Sequence, residues 1–316
     1  MGMLVEGRWE TGAFPKDAEG RFVRQKTTFR DGVTADGSSG HPAEAGRYHL
    51  YIAWACPWAH RTAIMRKIKG LEDAISLSSV EPFMGEDGWT FSADGEFSDP
   101  LFSEGHLRDI YAKAAPDVTG RVTTPVLWDK ETGEIVNNES REIIRMLDHE
   151  FIGVANDEDF CPSDLEPDVE RALDEIYEPI NNGVYRSGFA TTQAAYEDAV
   201  TDVFDALDKW EDVLNEQRYL AGDRITEADW AMFATLVRFD AVYHGHFKCN
   251  IRRIVDYPNL WGYLRELYQY PGVAETVRLD QIKTHYYSSH ETVNPTRIVP
   301  LGPDIDFTTP YGREGI

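Results

Sequence analysis

Positive charge, cysteine and long apolar runs are all scarce in this chain of 316 residues. Against 55 aspartates and glutamates stand 31 lysines and arginines, mostly arginine, for a formal net charge of −24. Such a surface repels polyanions, so neither nucleic acid nor an anionic membrane is expected as a partner. An acid-rich, lysine-poor composition suits concentrated salt, where screening removes the cost of self-repulsion, and a salt-loving host is the expectation. The three cysteines, Cys56, Cys161 and Cys249, are too few and too scattered for a disulfide framework, which points to a reducing compartment. No run approaches the roughly 18 apolar residues of a membrane-spanning helix. Residues 1–10 lack the apolar stretch of a signal peptide, so a cytoplasmic protein is expected. The length suits two modest domains or one large one, and no internal repeat stands out.

Against this background one stretch organises the rest: Tyr48-His49-Leu50-Tyr51-Ile52-Ala53-Trp54-Ala55-Cys56-Pro57-Trp58-Ala59-His60-Arg61. Its first half reads as a buried strand; Pro57, followed by Ala63, Ile64, Met65 and Ile68, reads as a helix whose first turn begins at the proline. Cys56 then falls at the N-cap, where unsatisfied backbone N–H groups and the positive end of the helix dipole stabilise a thiolate. A small thiol filling a strand–helix corner is the plainer alternative, but strand, cysteine, proline and helix in this order form a reactive-thiol arrangement. Disulfide oxidoreductases carry a second cysteine three residues on, and here that position is Ala59. A monothiol that attacks sulfur cannot close its own cycle, so an external low-molecular-weight thiol is needed to release it.

Upstream, residues 1–46 are polar and rich in glycine, with Trp9, Phe14, Phe22 and Phe29 interspersed; they read as an irregular arm. Downstream, residues 74–80 alternate as a second strand, and a long loop over 81–91 holds Trp89, either the wall of a pocket or a core residue. A helix follows over 106–115. Then Arg121-Val122-Thr123-Thr124-Pro125 leads into a strand, Lys130-Glu131-Thr132-Gly133 turns the chain back, and Asn137-Asn138-Glu139-Ser140 opens another helix. The order βαβ, α, ββα is that of a thioredoxin-like domain, in which the residue before the proline of the ββ unit offers its backbone to a peptide-like thiol. Thr124-Pro125 is the candidate for that cis bond. Glu139 and Ser140 could grip the ends of a γ-glutamyl group, although capping alone would also explain such residues at a helix start.

From about residue 164 the texture becomes helical, with periodic runs over 169–180, 196–214 and 230–243. Thr226 and Asp229 read as a capping box, Tyr257-Pro258-Asn259-Leu260 introduces a last helix, and from Tyr286 the chain turns to a Pro- and Gly-rich coil. His244-Gly245-His246 and Cys249 are metal-ligand types at short spacing, but no further ligand is evident and no metal site is expected.

A thioredoxin-like domain followed by an all-helical one carrying Ile225-Thr226-Glu227-Ala228-Asp229 resembles the cytosolic glutathione transferases. Within them, Cys56-Pro57-Trp58-Ala59, Gly88-Trp89-Thr90-Phe91, Pro125-Val126-Leu127-Trp128-Asp129, Asn137-Asn138-Glu139-Ser140 and Asn294-Pro295-Thr296-Arg297-Ile298-Val299-Pro300 are similar to the Xi class, the glutathionyl-hydroquinone reductases. The resemblance implies an arm over 1–46, a thioredoxin-like thiol-binding domain over 47–150, an all-helical substrate and dimerisation domain over 164–290, and a coil tail over 291–316. It implies that Cys56 is the nucleophile, and that Trp89, Arg121, Glu139, Ser140 and the backbone of Thr124 before Pro125 bind the thiol. Tyr185 and Tyr286 would line the aromatic substrate's pocket. Where the class commonly has Val before the cis-proline, this chain has Thr124. A homodimer is implied and no bound cofactor is, glutathione or γ-glutamylcysteine serving as cosubstrate; the γ-glutamyl end is common to both thiols. Two other readings stay open. An Omega-type monothiol transferase shares the Cys-Pro but leaves the Trp89 loop and the tail unexplained, and a non-catalytic binding module has little need of a reactive cysteine.

Overall fold

The structure is a computed structural model that describes residues 2–12 and 14–316; Met1 and Ala13, within the expected arm, lie outside them. The chain forms two units. Residues 2–12 join Gln25–Glu158 in the first, and Phe14–Arg24 join Asp159–Ile316 in the second. The expected arm is thus shared between them.

The arm is also less irregular than its composition suggests. Strands β1 (Gly2–Val5) and β2 (Arg8–Thr11) form an antiparallel hairpin. Its two-residue turn takes positive φ at both Glu6 (47°) and Gly7 (73°), the geometry that matches strand twist. Leu4 is buried, and its backbone exchanges two hydrogen bonds of 2.9 Å with Gly120, which holds the hairpin on the unit.

The main sheet follows the expected order. Strand β3 (Tyr48–Ile52), buried along its whole length, pairs parallel with β4 (Ile75–Ser79) and antiparallel with β5 (Val126–Asp129), and β6 (Glu134–Asn137) closes the order β4-β3-β5-β6. A central strand with both faces covered has no polar side, which is why β3 reads as a continuous apolar run. Helices α1 (Pro57–Ile68) and α3 (Ser140–His149) pack together through Ala63, Ile64, Ile143, Ile144 and Leu147. Tyr51, Val126 and Trp128 face a second core built with α2 (Leu107–Ala114), which buries Leu107, Ile110 and Tyr111.

The second unit is helical: α4 (Glu166–Ile176), α5 (Gly183–Gly188), α6 (Gln193–Glu216), α7 (Glu227–Arg238), α8 (Pro258–Tyr268) and α9 (Leu279–Ser289). All of α7 is buried, and its start carries the expected capping box, with the Asp229 carboxylate accepting from the Thr226 N–H at 2.7 Å. Two runs that read as continuous helix are interrupted by π turns, Tyr177–Asn181 after α4 and Phe239–Tyr243 after α7, each closed by an N–H reaching five residues back at 2.8 Å. Coil was expected from Tyr286, but that residue lies on α9. Its buried face joins Ile282 to Gln281, His285 and Tyr286, polar or amphipathic types that leave a weak apolar pattern. Phe14 and Phe22 pack on Phe189 with ring centroids 4.7 and 5.6 Å away, and Gly188 is required where a Cβ would stand 2.1 Å from the Phe247 ring. No helix of the described residues is long and apolar enough to cross a membrane.

Candidate active site

The β3–α1 junction places Cys56 at the N-cap of α1 with extended backbone (φ −77°, ψ 120°), and its carbonyl accepts the His60 N–H at 2.9 Å. No acidic residue occupies the first turn of α1, so nothing there opposes the positive end of the helix. Cys56 is partly exposed, whereas Cys161 and Cys249 are buried. Burial pushes the Cys249 thiol up to about 12, which leaves it a packing residue.

Facing Cys56 is the Thr124-Pro125 bond, which is cis as expected. The Cys56 Sγ lies 3.5 Å from the Thr124 carbonyl, so the thiol can donate to it. This segment is held from beneath by Tyr111. Its hydroxyl donates to the Thr123 carbonyl at 2.8 Å and accepts the Thr123 N–H at 3.2 Å and the Asn138 Nδ2 at 3.1 Å. One buried phenol therefore fixes both the turn before the proline and the approach to α3. The Thr124 hydroxyl itself is buried without a hydrogen-bond partner, so its side chain fills space as the valine usual in the class would.

At the start of α3 the cap is Glu139. Its carboxylate accepts from the Arg141 N–H and from the Thr27 hydroxyl, both at 3.3 Å, while its own N–H is held by Asn137 Oδ1 at 2.7 Å. Ser140, the first residue of the helix, receives two N–H groups of Arg61 at 3.0 and 2.6 Å. Arg121 is half-buried, which holds its guanidinium below its usual range, and its Nε donates to Gln25 Oε1 at 3.2 Å. Trp89 is a core residue, 7 % exposed, in the cluster against which Cys56 packs. Cys56, Trp89, Arg121, Thr124, Pro125, Glu139 and Ser140 thus all belong to the first unit. The arm adds Gln25 and Thr27, and α1 and α2 add Arg61 and Tyr111. Nothing in local sequence marks these four, because each acts through a partner distant along the chain.

Tyr185 and Tyr286 lie in the second unit and share a short hydrogen bond between their hydroxyls. A third tyrosine, Tyr243, extends the chain, its hydroxyl 3.0 Å from that of Tyr286. Tyr286 is 1 % exposed and its phenol is raised well above 10, first of all by burial. Tyr185 is the accessible end, with the Arg24 guanidinium 5.0 Å over its ring. After α7, His246 Nε2 is 3.1 Å from His290 Nδ1, and the Cys249 thiol points to the Phe247 carbonyl at 3.9 Å.

Two family models match, the glutathione S-transferase N-terminal domain over residues 55–150 and the C-terminal domain over 193–266. The chain is 49% identical to glutathionyl-hydroquinone reductase YqjG of Escherichia coli, over 99% of both chains. It is 51% identical to glutathionyl-hydroquinone reductase PcpF of Sphingobium chlorophenolicum, over 96% of both. This chain belongs to the Xi-class glutathione transferases. The solved Xi-class enzyme from Natrialba magadii is 56% identical and superposes with a TM-score of 0.94, covering 99% of this chain and 96% of that one. A glutathione-bound structure of the E. coli protein superposes at 0.91, covering 99% of each. Tyr243, which the motifs of the Xi-class chain do not single out, ends a π turn.

Proposed function

We propose that this chain is a thiol-dependent reductase that removes the glutathionyl group from hydroquinone adducts. The observation that carries this reading is Cys56 at the N-cap of α1, 3.5 Å from the carbonyl that precedes the cis-proline, with alanine at the position of a resolving cysteine. The Cys56 thiolate attacks the sulfur of the adduct. The carbon–sulfur electron pair passes to the ring carbon, which takes up a proton, and the hydroquinone leaves. The remaining Cys56–glutathione disulfide is attacked by a second thiolate, which restores Cys56 and forms glutathione disulfide. The ring carbon gains two electrons and the two glutathione sulfurs lose one each, so no metal or redox cofactor is required.

In this reading Glu139, Ser140, Arg121, Trp89 and the Thr124 backbone hold the thiol. Tyr185 meets the hydroxyl-bearing ring, with the buried Tyr286 and Tyr243 behind it in a chain of phenols that offers both donors and acceptors. The first unit is the thiol-binding domain, and the second carries the aromatic substrate and the contacts of a homodimer. Cys56 requires a reducing compartment, in keeping with the cytoplasm, and the charge of −24 suits a salt-rich one.

The test is release of hydroquinone from a glutathionyl adduct in high salt, comparing wild type with Cys56→Ser. Glutathione is supplied in one series and γ-glutamylcysteine in the other. Release is expected to fall by on the order of 1000-fold or more in the variant. Wild type that releases no hydroquinone but reduces dehydroascorbate would instead support an Omega-type enzyme.

A further inference from the structure

We infer that Arg61 is a positioning residue of the thiol site: it fixes the Ser140 hydroxyl as a hydrogen-bond donor and ties the helix that begins at Cys56 to the helix end that grips the thiol. This rests on the thiol-binding reading above. Arg61 lies in the second turn of α1 and is 4 % exposed. Its Nε and one Nη stand 3.0 and 2.6 Å from Ser140 Oγ, the same Nη is 3.8 Å from the Glu139 carboxylate, and its guanidinium carbon lies 5.3 Å over the Trp58 ring.

A guanidinium carries five N–H donors and no acceptor. Two of them directed at one hydroxyl occupy both of its lone pairs, so the single Ser140 hydrogen has to be donated elsewhere. A serine that could otherwise give or take a hydrogen bond is thereby committed to giving one, which selects a ligand acceptor such as a carboxylate.

Electrostatics adds a second argument. A cation beside the amino ends of two helices, α1 and α3, is opposed by both dipoles, and a buried one also loses its hydration. Apolar residues such as Ala63, Ile64, Ile143 and Ile144 are buried on the same two helices, so a hydrophobic side chain would fill this place at lower cost. Glu139 offsets part of the charge. That a buried cation is kept here despite these costs is accounted for by what its N–H groups do at Ser140.

The experiment measures glutathione affinity by calorimetry, and KM and kcat with the hydroquinone adduct, on full-length wild type, Arg61→Met, Arg61→Lys, Ser140→Ala and the Arg61→Met/Ser140→Ala double variant. Arg61→Met is expected to weaken glutathione binding about tenfold and to raise the thiol KM by a similar factor, with kcat at saturating thiol changed less than about twofold. Lysine keeps the charge but not the fork, so Arg61→Lys recovers only part of the loss. The double variant should bind no more weakly than Ser140→Ala alone, because the arginine acts through the serine. Additive losses overturn the inference. So does a lowered melting temperature with unchanged glutathione affinity, which would make Arg61 purely structural. If Arg61→Met does not fold, Arg61→Lys with wild-type affinity overturns it equally. Wild type that fails to bind glutathione defeats the thiol-binding reading itself, whereas binding that no Arg61 variant alters defeats this inference alone.

Discussion

Around Cys56, the side chains of the first unit are aimed by hydrogen bonds to backbone and by one another's polar groups: Tyr111 holds Thr123 and Asn138, Asn137 holds the Glu139 N–H, and Arg61 holds Ser140. In the second unit the three tyrosines are aimed by each other's hydroxyls and by stacked rings, with Tyr243 and Phe247 parallel within 13° and their centroids 5.6 Å apart. The first arrangement suits a ligand with fixed charges at fixed places. The second presents one polar edge on an apolar wall and suits a family of rings. Specificity for the thiol is therefore expected to be strict, and specificity for the aromatic partner broad.

Acid should erode both units, and the size of the effect makes this the sharpest probe of how alike they are beneath the sites. Burial lowers His49 in the first unit and His246 in the second to about 4. The unfolded chain takes up protons near pH 6.5 while these imidazoles stay neutral. Their contribution is complete above pH 6.5 and is lost as pH falls toward 4, by up to about 3 kcal/mol for each. His246 faces His290 and His285, with Lys248 on its own segment also opposing protonation, so no nearby carboxylate is expected to rescue it. Denaturant titrations at pH 7 and pH 5 are expected to show the loss in wild type, and His49→Gln and His246→Gln should each flatten the profile. A profile flattened by only one of them would break the parallel between the units.

Removing a single phenol oxygen from each unit separates the two kinds of site. Tyr111→Phe leaves the Thr123 N–H and the Asn138 amide without their partner, so it should cost about 1–3 kcal/mol of stability and raise KM for the thiol and for the adduct alike, since both bring a glutathionyl group to the same site. Tyr286→Phe should touch only the adduct, lowering its kcat/KM by roughly tenfold with the thiol KM unchanged. Steady-state kinetics with each substrate varied in turn would decide. If Tyr286→Phe also raises the thiol KM, the units do not divide the labour in this way.

The smallest effect expected is a gain. Because the Thr124 hydroxyl is buried without a partner, Thr124→Val should raise stability by about 1 kcal/mol and leave thiol binding intact, since the contact proposed there is through backbone. A loss of affinity in this variant would mean that the hydroxyl meets the ligand.

The parts of this architecture that could be read from sequence are those that neighbours along the chain determine. A strand ending in Cys-Pro, a Thr-Pro before a hairpin and a Glu-Ser after two asparagines each announce a local geometry, and the structure has all three. The features that escaped were set by distant partners or by irregularity. Arg61 looked like one more charged residue on a helix until Ser140, far along the chain, was placed against it. The β1–β2 hairpin depends on its pairing with Gly120, and α9 was hidden because histidine and tyrosine make much of its buried face. The π turns fall within runs whose hydrophobic spacing looked helical throughout. Each adds a residue to the turn and so rotates the succeeding residues about the helix axis.

The path of the chain carries a consequence for its inheritance. It passes from the first unit to the second and back before residue 25, then passes over once more at 158–159. A gene fragment beginning at residue 159 would encode every helix of the second unit but neither Phe14 nor Phe22, the rings that cover Phe189. A fragment ending there would carry those rings with nothing to cover. An exchange of the two halves at this junction leaves Phe189 without the rings it evolved with unless residues 14–24 travel with the second unit.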